Sequence, residues 1–309
     1  MYGPLTRMLK RKSPLILDGA MGTELQRRGV DIDLPLWSAN ALIGNPEIVL
    51  EVHRDYIGAG ADIITANTFR TTRRTMRRAG LPDRSRQLTI TAVDLARQAR
   101  ETFPDREILI AGSISPLEDC YRPDLVPGDR ELREEHAELA ARLAENGVDF
   151  ILLETMNTMR EAHAACAAAT AAGKEVVVGF ICDHEGHLYS GEPLLGAIKM
   201  LLEFHPAGFS INCVPPRYMK RAVDNLATAT DRPFAVYGNV GVPDDERHGW
   251  EFTHDVLEEE YAAYAREWLR SGASIIGGCC GTTPEYIRAL RKNLPPRQQE
   301  TKQKPSGTQ

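Results

Sequence analysis

Eight short apolar runs, each followed by a stretch with helical spacing, constrain this chain more than any other feature. The runs are "PLILDGA" (14–20), "ADIITANTF" (61–69), "EILIAGSISP" (107–116), "VDFILLET" (148–155), "EVVVGFICD" (175–183), "AGFSINC" (207–213), "PFAVYGN" (233–239) and "ASIIGGCC" (273–280). Each is mostly continuous rather than alternating, the pattern of parallel strands buried on both faces. Between them lie amphipathic segments such as "NPEIVLEVHRDYIGAG" (45–60) and "DRELREEHAELAARLAENG" (129–147), which end in glycine as helices often do. Eight strand–helix units in this length predict a single-domain α/β fold, a (β/α)8 barrel over residues 13–295. An open doubly wound sheet is the alternative. Residues 1–12 read as an N-terminal extension. The polar, proline-containing 296–309 reads as a disordered tail.

Composition narrows the function. A formal net charge of −6 argues against a nucleic-acid or anionic-membrane surface. No apolar stretch reaches the roughly 18 residues of a membrane span. The basic N-terminus is followed by too short an apolar run for an export signal. A cytoplasmic protein with free thiols is therefore expected, and six cysteines need an account.

In a barrel, chemistry sits where strands end. Here the runs finish on Asp18-Gly19, Asn67-Thr68, Ser113 and Ser115, Glu154-Thr155, Asn212-Cys213, Asn239 and Cys279-Cys280. Turn and cap preferences explain one or two of these but not the set. Strands six and eight lie near each other in a barrel, so Cys213 can face Cys279 and Cys280. Three thiolates suit zinc. Adjacent strand residues point to opposite faces, so both cysteines can ligate only if Gly277, Gly278 and Gly281 permit an irregular turn. Thr283 and Pro284 then open a helix. A vicinal disulfide, idle buried thiols or a nucleophilic cysteine are the other readings. Three ligands leave a fourth position open, as in catalytic sites. An all-sulfur zinc activates water poorly and holds a substrate thiolate well, which points to alkyl transfer onto sulfur.

These residues resemble the zinc-dependent homocysteine S-methyltransferases over about residues 13–293. "LDGAMGTEL" (17–25), "ITANTF" (64–69), "DFILLET" (149–155), "INC" (211–213) and "GGCCGTTP" (277–284) carry the resemblance in order. It implies a methyltransferase of the EC 2.1.1 class with Cys213, Cys279 and Cys280 on Zn2+ and homocysteine as acceptor, giving methionine. It also implies an amino-acid pocket from Asp18, Gly19, Ala20, Glu154 and Asn212. A carboxylate such as Glu154 suits the substrate ammonium, and amides near Gly19 and Ala20 suit its carboxylate.

For the methyl donor, the chain resembles the stand-alone members that use S-methylmethionine, notably in "DIDLPLWSANAL" (31–42). Trp37 there, and more weakly Tyr121, offer a π face to a sulfonium such as S-methylmethionine or S-adenosylmethionine. Thr155 stands where betaine users are expected to have an aromatic residue. The arginines of "RTTRRTMRR" (70–78) depart from the family pattern and read as a helix face paired with acids, or else as the receiver of an anionic donor or partner protein. His184 and His187 read as solvent-facing. The competing functions are the same chemistry with another thiol acceptor or with a corrinoid or betaine donor, and a non-enzymatic zinc and thiol redox-sensing barrel.

Overall fold

A computed structural model describes residues 2–11, 13–244, 249–251 and 256–295; the tail expected at 296–309 lies outside them. The apolar runs form eight parallel strands. They are β1 (Leu15–Ile16), β2 (Ile63–Ala66), β3 (Leu109–Ile114), β4 (Phe150–Met156), β5 (Glu175–Phe180), β6 (Gly208–Asn212), β7 (Phe234–Gly238) and β8 (Ile275–Gly278). They bond in the order β1-β8-β7-β6-β5-β4-β3-β2. A parallel bridge between Leu17 and Ile63 joins β1 to β2 and closes the ring. The sheet is therefore a barrel, not the open doubly wound alternative.

Strand alternation explains why the runs are continuously apolar. Leu109, Ala111, Phe150, Leu152, Ala235 and Tyr237 point into the barrel and pack on one another. Ile110, Ile151, Val176, Val236 and Ile276 point outward against the helices. Both faces are dry, and each fully buried branched side chain contributes about 1.5–3 kcal/mol. The helices Pro46–Ala59, Ser85–Glu101, Asp129–Glu145, Met159–Ala171, Leu194–Leu201, Pro216–Ala229, Glu258–Arg270 and Pro284–Asn293 follow β1 to β8. Pro46–Ala59 shows the end signals at work, with proline in its first turn and Gly60 at φ +117° after its last residue. A short antiparallel hairpin, Val242–Asp244 with Gly249–Glu251, has no counterpart in the sequence reading.

Within the N-terminal extension, Pro4–Leu9 is a helix, and Leu5 and Met8 are fully buried in the interior cluster. Glu175, at the start of β5, accepts from the N–H groups of Leu5 at 2.9 Å and Thr6 at 3.1 Å. A carboxylate at a helix N-terminus meets otherwise unpaired donors and the positive end of the dipole. This helix covers the bottom of the barrel, so the chemistry is left to the opposite end.

Candidate active site

At the C-terminal ends of the strands lies a cavity of about 600 Å³. Cys213 follows β6 at φ +59°, a turn that lifts it out of strand geometry, and its N–H donates to the Tyr237 carbonyl at 3.2 Å. Cys279 donates its N–H to the Gly238 carbonyl at 2.8 Å, and the Cys280 carbonyl accepts from Val240 N–H at 2.8 Å. The end of β7 thus fixes the backbone of both neighbours.

Gly281 makes the turn possible. Its φ is +83°, and a Cβ there would sit 1.7 Å from the Val240 carbonyl oxygen. No other residue fits without moving the Val240 backbone that follows β7. The Thr282 hydroxyl donates to the Cys279 carbonyl at 2.7 Å. Thr283 caps the helix Pro284–Asn293 by accepting from Glu285 N–H.

The result is three sulfurs, from Cys213, Cys279 and Cys280, all within 4.8 Å of one another. Among the described residues this is the one such group of metal-ligating side chains. Hydrogen bonds from the Cys279 and Cys280 thiols hold Cys213 well below the ordinary thiol range. Their hydrogen bonds to Cys213, and then its charge, push theirs well up. Three thiols contending for one charge in a buried pocket are satisfied by a soft cation. The spacing is in reach of one tetrahedral zinc with sulfurs at about 2.3 Å. The donor set therefore fits the metal that the sequence implies.

Two carboxylates share the cavity, Asp18 buried and Glu154 half-buried. Asp18 accepts from Thr65 N–H at 2.7 Å and from the Thr65 hydroxyl at 3.0 Å. Glu154 accepts from the Tyr237 hydroxyl at 3.2 Å and from the Ser113 hydroxyl. Burial pushes Asp18 up to about 7 against the pull of Thr65, and the charge of Glu154 adds to it. Burial likewise pushes Glu154 up to about 7 against Ser113 and Tyr237, with Cys213 adding. Carboxyls so placed favour the protonated form or a bound cation.

Asn212 spends Oδ1 on Thr155 N–H at 3.1 Å, fixing a residue at φ +55° after Glu154. Its buried Nδ2 has no hydrogen-bond partner among the described residues. The residue itself lines the cavity. Ala20 differs from the expectation: its N–H already donates to the Thr282 hydroxyl at 3.3 Å. Tyr56, whose hydroxyl donates to the Ala20 carbonyl at 2.8 Å, fixes the same loop. Gly19 lines the cavity beside it.

Trp37 and Tyr121 also line the cavity. The Trp37 ring meets Phe69 edge-on at 5.8 Å. Ser38 and Asn67 bond reciprocally, at 2.7 and 2.9 Å, and pin the Trp37 loop over the end of β2. Tyr121 reaches further in than a donor face alone requires, with its hydroxyl 3.5 Å from Cys213 Sγ. Asn239 is buried outside the cavity lining, and its N–H donates to the Val214 carbonyl.

The arginine-rich segment is paired with acids in the main. Arg74 binds Glu118, Glu131 and Glu135 at 3.0, 2.7 and 2.8 Å. Arg78 binds Glu118, and Arg73 lies 3.4 Å from Glu138. His184 and His187 are exposed beside Glu185 and Asp183, apart from the metal-ligating group. Thr65, Tyr237 and Thr282 are the site residues that the sequence reading did not single out. Tyr237 had one available signal, its inward register two residues after Ala235.

Comparison with known proteins agrees with this geometry. The family model described as homocysteine S-methyltransferase matches residues 15–294. A selenocysteine Se-methyltransferase of Brassica oleracea var. italica is 33% identical, covering 90% of this chain and 88% of its own. A homocysteine S-methyltransferase of Escherichia coli is 32% identical, with 93% of this chain and 97% of its own covered. The crystal structure of the E. coli homocysteine methyltransferase MmuM in its metallated form superposes with a TM-score of 0.82 at 32% identity. That match covers 94% of this chain and 99% of the other. No helix among the described residues is long and apolar enough to cross a membrane.

Proposed function

The chain belongs to the homocysteine S-methyltransferase family, and from that premise we propose that it is a zinc enzyme moving a methyl group from a sulfonium donor to homocysteine. The observation that carries the reading is the meeting of three thiols and two carboxylates in one cavity with an aromatic wall. Cys213, Cys279 and Cys280 would hold the metal. Zinc, when bound there, supplies a Lewis acid with an open position that keeps a substrate thiol deprotonated near neutral pH.

The chain's own residues then position the acceptor. Glu154, fixed by Ser113 and Tyr237, and Asp18, fixed by Thr65, supply negative charge for the homocysteine ammonium. The unpartnered Asn212 Nδ2 supplies a donor for its carboxylate. Binding therefore releases the carboxylates' protons to solvent: the charged form meets the ammonium, which offsets the cost of its desolvation. Trp37 offers its ring to the sulfonium. The donor's methyl–sulfur bond breaks as the bond to homocysteine sulfur forms, and the donor leaves as a neutral thioether. The charge neutralised in this step favours a partly desolvated cavity, which the walls described provide.

The test is a donor panel with zinc-loaded protein and homocysteine: S-methylmethionine, S-adenosylmethionine, betaine and a methylated corrinoid. S-methylmethionine is expected to give the highest kcat/KM. Trp37→Leu is expected to raise its KM several-fold, as loss of about 0.5–2 kcal/mol of cation–π attraction requires, with homocysteine KM unchanged. Faster turnover of betaine or the corrinoid than of either sulfonium would overturn the donor assignment.

A further inference from the structure

We propose that Arg70 holds a carboxylate of the methyl donor, so that the preferred donor is a sulfonium that also carries an acid group. The proposal rests on the sulfonium reading above and names the second anchor of that ligand. Arg70 follows Phe69 at the end of β2, and its guanidinium lies over the Phe69 ring, 5.5 Å from the centroid. Phe69 in turn packs edge-on against Trp37. The three side chains form one continuous wall of the cavity.

The electrostatics of that wall need an anion. Among the described residues Arg70 makes no hydrogen bond or ion pair, and its buried Nε has no partner. Of its neighbours, Arg73, Arg74 and Arg78 are matched to glutamates, and Arg77 is exposed and lies outside the cavity lining. Arg122 is the other arginine of the cavity lining, and Asp124 takes both its Nε and Nη2, at 2.8 and 2.6 Å. Arg70 alone is left with uncommitted charge facing the cavity. An unmatched guanidinium repels a purely cationic donor in a partly desolvated space. A ligand with a sulfonium at one end and a carboxylate at the other turns that repulsion into a charge-assisted pair, bidentate by the planarity of the guanidinium. Arg70 shares its wall with Phe69 and Trp37, the aromatic side assigned above to the sulfonium, and this assigns it to the donor end of the cavity.

The experiment compares S-methylmethionine with its carboxamide, which keeps the sulfonium and ammonium and lacks the acid. Steady-state constants are measured for wild type, Arg70→Met and Arg70→Lys, with thermal melting to verify folding. Wild type is expected to favour the acid over the amide. Arg70→Met is expected to lower kcat/KM for S-methylmethionine about ten- to hundredfold, mainly through KM. The same variant should turn over the carboxamide as well as wild type or better, because the repulsion from the guanidinium is gone, and leave homocysteine KM unchanged, with Arg70→Lys in between. Equal loss with both donors, no loss with either, or a raised homocysteine KM would overturn the role of Arg70 alone. Wild type that turns over betaine or the corrinoid but no sulfonium overturns the proposed function as well.

Discussion

Glu154 shows how much one residue can carry here. Its two oxygens are taken by Ser113 and Tyr237, yet burial still pushes it up to about 7, alongside Asp18. Both values are above the ordinary 4.5 and 3.8. The folded state therefore keeps protons that the unfolded chain releases. That stability is fully present below about pH 4 and is lost as pH rises through about 7. The substrate-free protein should melt at lower temperature at pH 8 than at pH 5, and homocysteine should restore part of the loss. Glu154→Gln should reduce that pH dependence. It should also weaken homocysteine binding by about 1–3 kcal/mol in calorimetry while zinc is retained. Unchanged affinity would reject the ammonium-binding role. Asp18, Glu154 and the three cysteines were legible because polar groups that end apolar runs are out of place unless used. Thr65 and Tyr237 were hidden because the same residues also suit an ordinary buried strand.

At the scale of elements, the short helix Arg73–Arg78 separates two roles within one charged stretch. Arg74 is held by Glu118 and Glu135, whose side chains are 6% and 5% exposed. Arg74→Met leaves buried charge without its partner, a cost of about 3–5 kcal/mol for a fully buried pair. Glu118 keeps Arg78 and Glu131 is half exposed, so the lower part of that range is expected in denaturant unfolding. Donor KM should stay unchanged. Stability equal to wild type would show that the network contributes nothing. The sequence displayed the charges but not their pairing, because the three partners lie 44, 57 and 61 residues away. Strands and helices were legible for the opposite reason. Burial on both faces writes a strand into a local run, and glycine, proline and threonine mark the helix ends. The hairpin of Val242–Asp244 and Gly249–Glu251 escaped notice because three-residue strands are too short to show a period.

At the scale of the whole molecule, closure of the barrel makes the site. It brings Cys213 to Cys279 and Cys280 across 66 or more residues of chain. It also sets Asp18 of the first strand run beside Glu154 of the fourth. The N-terminal helix covers the other end, where Leu5 and Met8 complete the interior. A reader of the sequence could foresee the sulfur cluster because strand order in a barrel is fixed by topology. The occupied Ala20 amide could not be foreseen, since it depends on where one threonine hydroxyl points. The account's central claim is that these three sulfurs hold one catalytic metal, and metal analysis tests it most directly. Zinc is measured by mass spectrometry on reduced wild type and on Cys213→Ala, Cys279→Ala and Cys280→Ala, each verified as folded. The account predicts about one zinc per chain in wild type, with most of it, and of methyl transfer, lost in every variant. Full zinc content in the three variants would contradict it.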